Sequence, residues 1–93
     1  MAVICTVRIP HPLAHVEAVE RAHPEVMSEI VAGARQYMLS HRRFASGSEV
    51  LDIDEYATRE DYEAFMGKCR DAVAAFDQLL GDPPRVEVWQ AVK

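Results

Sequence analysis

The chain has 93 residues, with 10 Lys and Arg against 15 Asp and Glu and a formal net charge of −5. An acidic chain with scattered basic residues, Arg42-Arg43 being the only adjacent pair, lacks the clustered cations that a nucleic-acid backbone or an anionic membrane requires of a partner. The length suits one domain, read here as residues 1–93, and lies near the lower end of what buries a self-sufficient core, so an additional surface to bury would help.

The N-terminal segment MAVICTVRIPHP is too short in its apolar part for a signal peptide and carries no basic flank. No stretch approaches the roughly 20 apolar residues of a membrane span. Cys5 and Cys69 fall in segments that read as core strand and core helix, where they serve as small buried hydrophobes, and the expected location is cytoplasmic and reducing.

In chain order, Ala2 to Ile9 alternates and is rich in Val, Ile and Thr, which predicts a first strand ended by Pro10 and Pro12. Leu13 to Leu39 is helical in pattern but contains Pro24, which a helix interior excludes and a helix start accepts. The region therefore divides into a short helix, Leu13 to Ala22, and a main helix from Pro24. In the main helix Val26, Met27, Ile30, Val31, Ala34, Tyr37 and Met38 share one face. A second strand, Ser40 to Ala45, meets a third, Glu49 to Tyr56, across Ser46-Gly47-Ser48, where glycine tolerates the positive φ of a hairpin turn. Thr58 caps the last helix, with Asp61 three residues on. Its stripe is Tyr62, Phe65, Met66, Cys69, Val73, Phe76, Leu79 and Leu80, and Gly81-Asp82-Pro83-Pro84 ends it before a last strand, Arg85 to Val92. The order β-α-β-β-α-β predicts an α+β, ferredoxin-like fold: four antiparallel strands with the helices on one face.

Such a sheet leaves its second face open, and strand parity assigns residues to it. With Cys5, Val7, Phe44, Leu51, Ile53, Val86 and Val88 toward the helices, the open face carries Ile4, Thr6, Arg8, Asp52, Asp54, Tyr56, Glu87 and Trp89. A two-residue Gly47-Ser48 turn sets Arg43 opposite Asp52 and His41 opposite Asp54; a three-residue turn puts Arg42 and Ser40 there instead. Ile4, Tyr56 and Trp89 beside paired charges fit a face half closed by a second subunit better than one in solvent.

The stretch SHRRFASGSEVLDIDEYATREDYEAF with the terminal PPRVEVW resembles the antibiotic biosynthesis monooxygenase-like group of the dimeric α+β barrel superfamily. The likeness runs from about His23 to the last strand and is nearest to small uncharacterised bacterial members. It implies a homodimer whose sheets pack face to face, a pocket between sheet and helices or within the barrel, and small aromatic or polyketide-like ligands. In some members it also implies oxygenation without metal, flavin or other cofactor, so none is expected. Members that form quinones or degrade haem use an asparagine and a tryptophan where the third strand enters the helix. This chain has no asparagine, its aromatic at that point is Tyr56, and Trp89 lies on another strand.

The candidate catalytic residues are His41 and Asp54, a proton shuttle whose tautomer the carboxylate would set, or else a charge pair that secures the hairpin. Thr6, Arg8, Arg43, Asp52, Tyr56 and Trp89 are the candidate ligand-binding residues, the charged ones serving equally as subunit-interface ion pairs and the aromatic ones as interface anchors. His11 and His15 have the i, i+4 spacing of a helical metal pair, but Pro12 sits between them and no third ligand follows. The function these features suggest is small-molecule binding by a dimeric barrel. It would be a cofactor-independent monooxygenase-like or proton-shuttling enzyme acting on a small cyclic or polyketide-like compound; the alternative is a non-catalytic metabolite-binding or assembly module.

Overall fold

The computed structural model describes residues 1–92; the domain expectation also covers Lys93, which lies outside the described residues. The elements are β1 (Val3–Ile9), α1 (Leu13–Ala22), α2 (Pro24–Tyr37), β2 (Met38–Ser46), β3 (Glu49–Tyr56), α3 (Arg59–Leu80) and β4 (Arg85–Gln90). The strands form one antiparallel sheet in the order β2-β3-β1-β4, which is the expected ferredoxin-like α+β fold. Pro24 stands at the first position of α2 and His23 separates the two N-terminal helices, as the missing proline N–H requires. The Thr58 hydroxyl accepts the Asp61 N–H at 3.1 Å and caps α3. Gly81, at φ 112°, ends α3 in a backbone conformation that side chains disfavour. The imidazole of His15 meets the Leu80 carbonyl at 2.8 Å, satisfying a C-terminal acceptor of α3, and His11 lies against it with ring centroids 4.6 Å apart. His15 therefore finishes a helix, with the His11 ring packed beside it. Among the described residues no group of three or more His, Cys, Asp or Glu is placed to hold a metal ion, and no helix is long and apolar enough to cross a membrane.

The β2–β3 hairpin has the two-residue Gly47-Ser48 turn, with Gly47 at φ 53° and Ser46 paired to Glu49. His41 faces Asp54, Arg43 faces Asp52 and Phe44 faces Leu51, so the first of the two registers is the observed one. Strand β2 begins two residues earlier than predicted, and its register shifts between Met38 and Ser40, leaving Leu39 as the extra, exposed residue. Strand β4 stops at Gln90 rather than Val92.

The face assignment of β2 and β3 is overturned. In β1–β3, Cys5 pairs with Asp54, Val7 with Asp52, Val3 with Tyr56 and Ile9 with Val50, and residues directly opposite each other point to the same side of a sheet. Asp52, Asp54 and Tyr56, with Arg43 and His41 across the hairpin, therefore lie on the helix-covered side, while Phe44, Leu51 and Ile53 share the open side with Ile4, Thr6, Arg8, Glu87 and Trp89. Alternation could not decide this, because each parity of β3 holds two apolar residues and two acids. Val50 and Tyr56 fill the core from the strand ends, at 0% and 1% exposure, and the acids between them find cations on β2.

The core has two parts. Ile9, Val16, Val50, Phe76 and Leu80 form one, Cys5, Tyr56, Phe65 and Cys69 the other, and the half-buried Val7 and Ile30 touch both. Helices α2 and α3 close over the second part because Gly33 has no side chain: a Cβ there would overlap the Cys69 sulfur and stand 3.3 Å from the Phe65 ring.

Candidate functional site

Between sheet and helices lies a cavity of about 450 Å³, within the range of small-molecule sites. Its walls are mainly apolar: Cys5, Val7 and Ile9 from β1, Met27, Ile30 and Ala34 from α2, and Phe65, Val73 and Phe76 from α3. Both parts of the core contribute to its lining, as do Val7 and Ile30, which touch both. Glu20, Met27 and Val31 line it and also a shallow depression beside Pro24 and Ser28, marking its approach to the surface between α1 and α2.

Two polar constellations face this space. On the β2 edge, His41 Nδ1 lies 2.5 Å from Asp54 Oδ1, with the imidazole about half exposed at 48% and the carboxylate at 13%. The hydrogen bond with Asp54 is the main cause that raises the His41 pKa above 6.5, against a smaller opposing effect of burial. A carboxylate on Nδ1 holds the proton there and leaves Nε2 with its lone pair, the arrangement of a general base.

The second constellation is centred on Arg43. Its Nε and Nη2 donate to the two oxygens of Asp52 at 2.7 and 3.0 Å, and its Nη1 and Nη2 donate to the two oxygens of Glu20 at 2.9 Å each. Asp52 is 7% exposed, and a carboxylate so placed persists because the guanidinium meets it in a fork. The bonds to Asp52 hold the Arg43 pKa above its ordinary value. Arg43 thereby ties the hairpin to α1.

Tyr56 is 1% exposed and lines the cavity, with its ring edge-on to Tyr62. Burial pushes its pKa well up, so the phenol stays protonated and able to donate. Burial also raises the Cys5 thiol to about 11, which keeps it protonated and poorly nucleophilic.

Of the residues singled out from sequence, His41, Asp54, Arg43, Asp52 and Tyr56 meet at this cavity. Thr6, Arg8 and Trp89 lie on the opposite side of the sheet, as expected of them, and so away from it. There the Trp89 indole N–H donates to the Thr6 hydroxyl at 3.2 Å with the residue 52% exposed, and Arg8 pairs with Glu49 at 2.8 Å. Sequence reasoning missed Glu20 and Asp77. Both had a signal: each is an acid on the buried stripe of its helix, Glu20 four residues after the buried Val16 and Asp77 four after Val73 and beside Phe76.

No protein-family model matches this sequence, and no curated protein matches it. Solved structures do. Rv0793 from Mycobacterium tuberculosis superposes with a TM-score of 0.72 at 19% identity, covering 100% of this chain and 97% of that one. The ActVA-Orf6 monooxygenase of Streptomyces coelicolor, in complex with nanaomycin D, gives 0.71 at 20% identity over 99% and 88%. A Caulobacter crescentus protein assigned to antibiotic biosynthesis monooxygenases gives 0.70 at 15% identity over 99% and 91%. At such identities the likeness is one of fold.

Proposed function

We propose, from the premise of a fold shared with antibiotic biosynthesis monooxygenase-like proteins, that this chain binds a small cyclic or polyketide-like compound in the cavity under its helices and moves a proton on it. The observation that carries the reading is the His41–Asp54 pair at the rim of an apolar cavity. His41 Nε2 takes a proton from an acidic C–H or O–H of the ligand, Asp54 stabilises the imidazolium that forms, and the neutral Tyr56 hydroxyl donates to oxygen on which negative charge develops. In its monooxygenase-like form, the deprotonated ligand reduces dioxygen, so that a ring CH₂ and O₂ give a carbonyl and water. No cofactor is needed for the proton step.

Nanaomycin D, which the Streptomyces coelicolor structure contains, is the first binding probe, followed by a panel of hydroxylated polycyclic compounds assayed for product and for oxygen uptake. His41→Ala is expected to lower turnover by about a hundredfold or more while ligand binding persists. Undiminished turnover removes His41 from the chemistry, and binding without product in the unaltered protein favours the metabolite-binding alternative.

The same reading includes a homodimer through the open side of the sheet, where Phe44 and Trp89 are 43% and 52% exposed beside the half-buried Leu51 and Ile53. Aromatic and aliphatic side chains so grouped are typical of an interface rather than a solvated face. Sedimentation at micromolar concentration is expected to give a dimer, and Phe44→Glu a monomer; a monomeric unaltered protein sinks the barrel.

A further inference from the structure

The cavity has an unusual balance of charge. Its cations are Arg43 and, when protonated, His41; its acids are Glu20, Asp52, Asp54 and Asp77. Arg43 uses four of its five N–H groups on Glu20 and Asp52, so its charge is neutralised by two carboxylates and it offers little to an anion. The charge of His41, when protonated, is matched by one carboxylate, Asp54, through Nδ1. That leaves Asp77, half-buried on α3 next to Phe76 and lining the cavity, with no ion pair or side-chain hydrogen bond to any described residue. Asp77 comes to the cavity from α3 and the His41 pair from the β2–β3 hairpin, so different elements contribute them. Burial raises the Asp77 pKa, the mark of a carboxyl that has lost water without gaining a partner. The Tyr56 hydroxyl, on a residue 1% exposed that lines the same space, also has no hydrogen-bond partner among the described residues.

We infer that this cavity selects a neutral or cationic ring compound bearing a hydrogen-bond donor, that Asp77 is the group receiving that donor, and that ligands carrying a carboxylate or sulfonate are rejected. The physical basis is that an unpaired, partly desolvated carboxylate beside apolar walls gains most from a hydroxyl or ammonium and is repelled by a second anion, with less screening than in open water. The inference rests on the reading of this cavity as the ligand site, and it deepens that reading by giving the ligand a charge class.

Three probes of one ring size test it: 2-naphthylmethylamine, 2-naphthol and 2-naphthoate, titrated calorimetrically at pH 7. The unaltered protein is expected to bind the amine about tenfold or more tightly than the naphthoate, and Asp77→Asn to reduce that ratio by about tenfold while weakening naphthol by a smaller factor than the amine. Asp71→Asn removes one charge from an exposed position of the same helix and is expected to leave the ratio unchanged, which separates a local contact from overall charge. Equal binding of amine and naphthoate, or an unchanged ratio in Asp77→Asn that melts like the parent, overturns the inference while leaving the cavity as a ligand site. Failure of all three probes to bind at millimolar concentration overturns both.

Discussion

The two sides of the sheet invert the usual arrangement. Under the helices, where apolar packing is the rule, lie two carboxylates, a guanidinium and an imidazole; on the open side, phenylalanine, tryptophan and isoleucine stand among a few exposed charges. A hydrogen-bonded ion cluster beside a cavity is kept at a desolvation cost that only well-formed geometry offsets, whereas exposed pairs cost and contribute little. The comparison teaches that this sheet gathers its ionisable groups beside a cavity on the covered side and leaves aromatic and aliphatic side chains exposed on the other.

Removing Arg43 should break that contrast most severely. Arg43→Ala leaves Asp52, 7% exposed, and Glu20 without a partner, and is expected to destabilise the fold by about 3 kcal/mol in chemical denaturation. Gly33→Ala pushes a methyl group into Cys69 and Phe65, and overpacking of this kind is expected to cost about 1–3 kcal/mol by the same measurement.

The His41–Asp54 pair sharpens the comparison through pH. Since the folded-state pKa of His41 lies above 6.5, the stability the pair contributes is fully present below pH 6.5 and is lost as pH rises through the folded value. A catalytic base at this position would give turnover that rises over that same upper window. An NMR titration should place the imidazole midpoint above 6.5, and Asp54→Asn should bring it down; a midpoint indifferent to Asp54 would mean that the pair does not form in solution. The smallest effect belongs to the open side, where Arg8→Ala removes a pair with Glu49 whose side chains are 54% and 38% exposed. A melting experiment is expected to detect at most about 1 kcal/mol, and less at high salt.

Much of this protein was legible in its sequence for local reasons. Pro24 divides the N-terminal helices, Thr58 and Gly81 bound α3, and Gly47 marks a short turn whose two-residue form, one of two open to the sequence, pairs His41 with Asp54 and Arg43 with Asp52. These features involve residues close in the chain. The partnership of Arg43 with Glu20, the place of Asp77 in the cavity wall and the burial of Tyr56 are contacts between distant segments. Local pattern carried only a hint of them, an acid on an apolar stripe.

The sequence by itself determined the elements and their order and narrowed the hairpin to two registers, because capping, proline chemistry and turn residues act within a few positions. Which side of β3 the helices would cover was decided only by tertiary structure. A period of two defines a pair of faces but does not choose between them, and the choice came from pairing β3 with β1 more than 40 residues away, Cys5 beside Asp54 and Val3 beside Tyr56. That one registration carried the ionisable groups out of the open face and into the cavity.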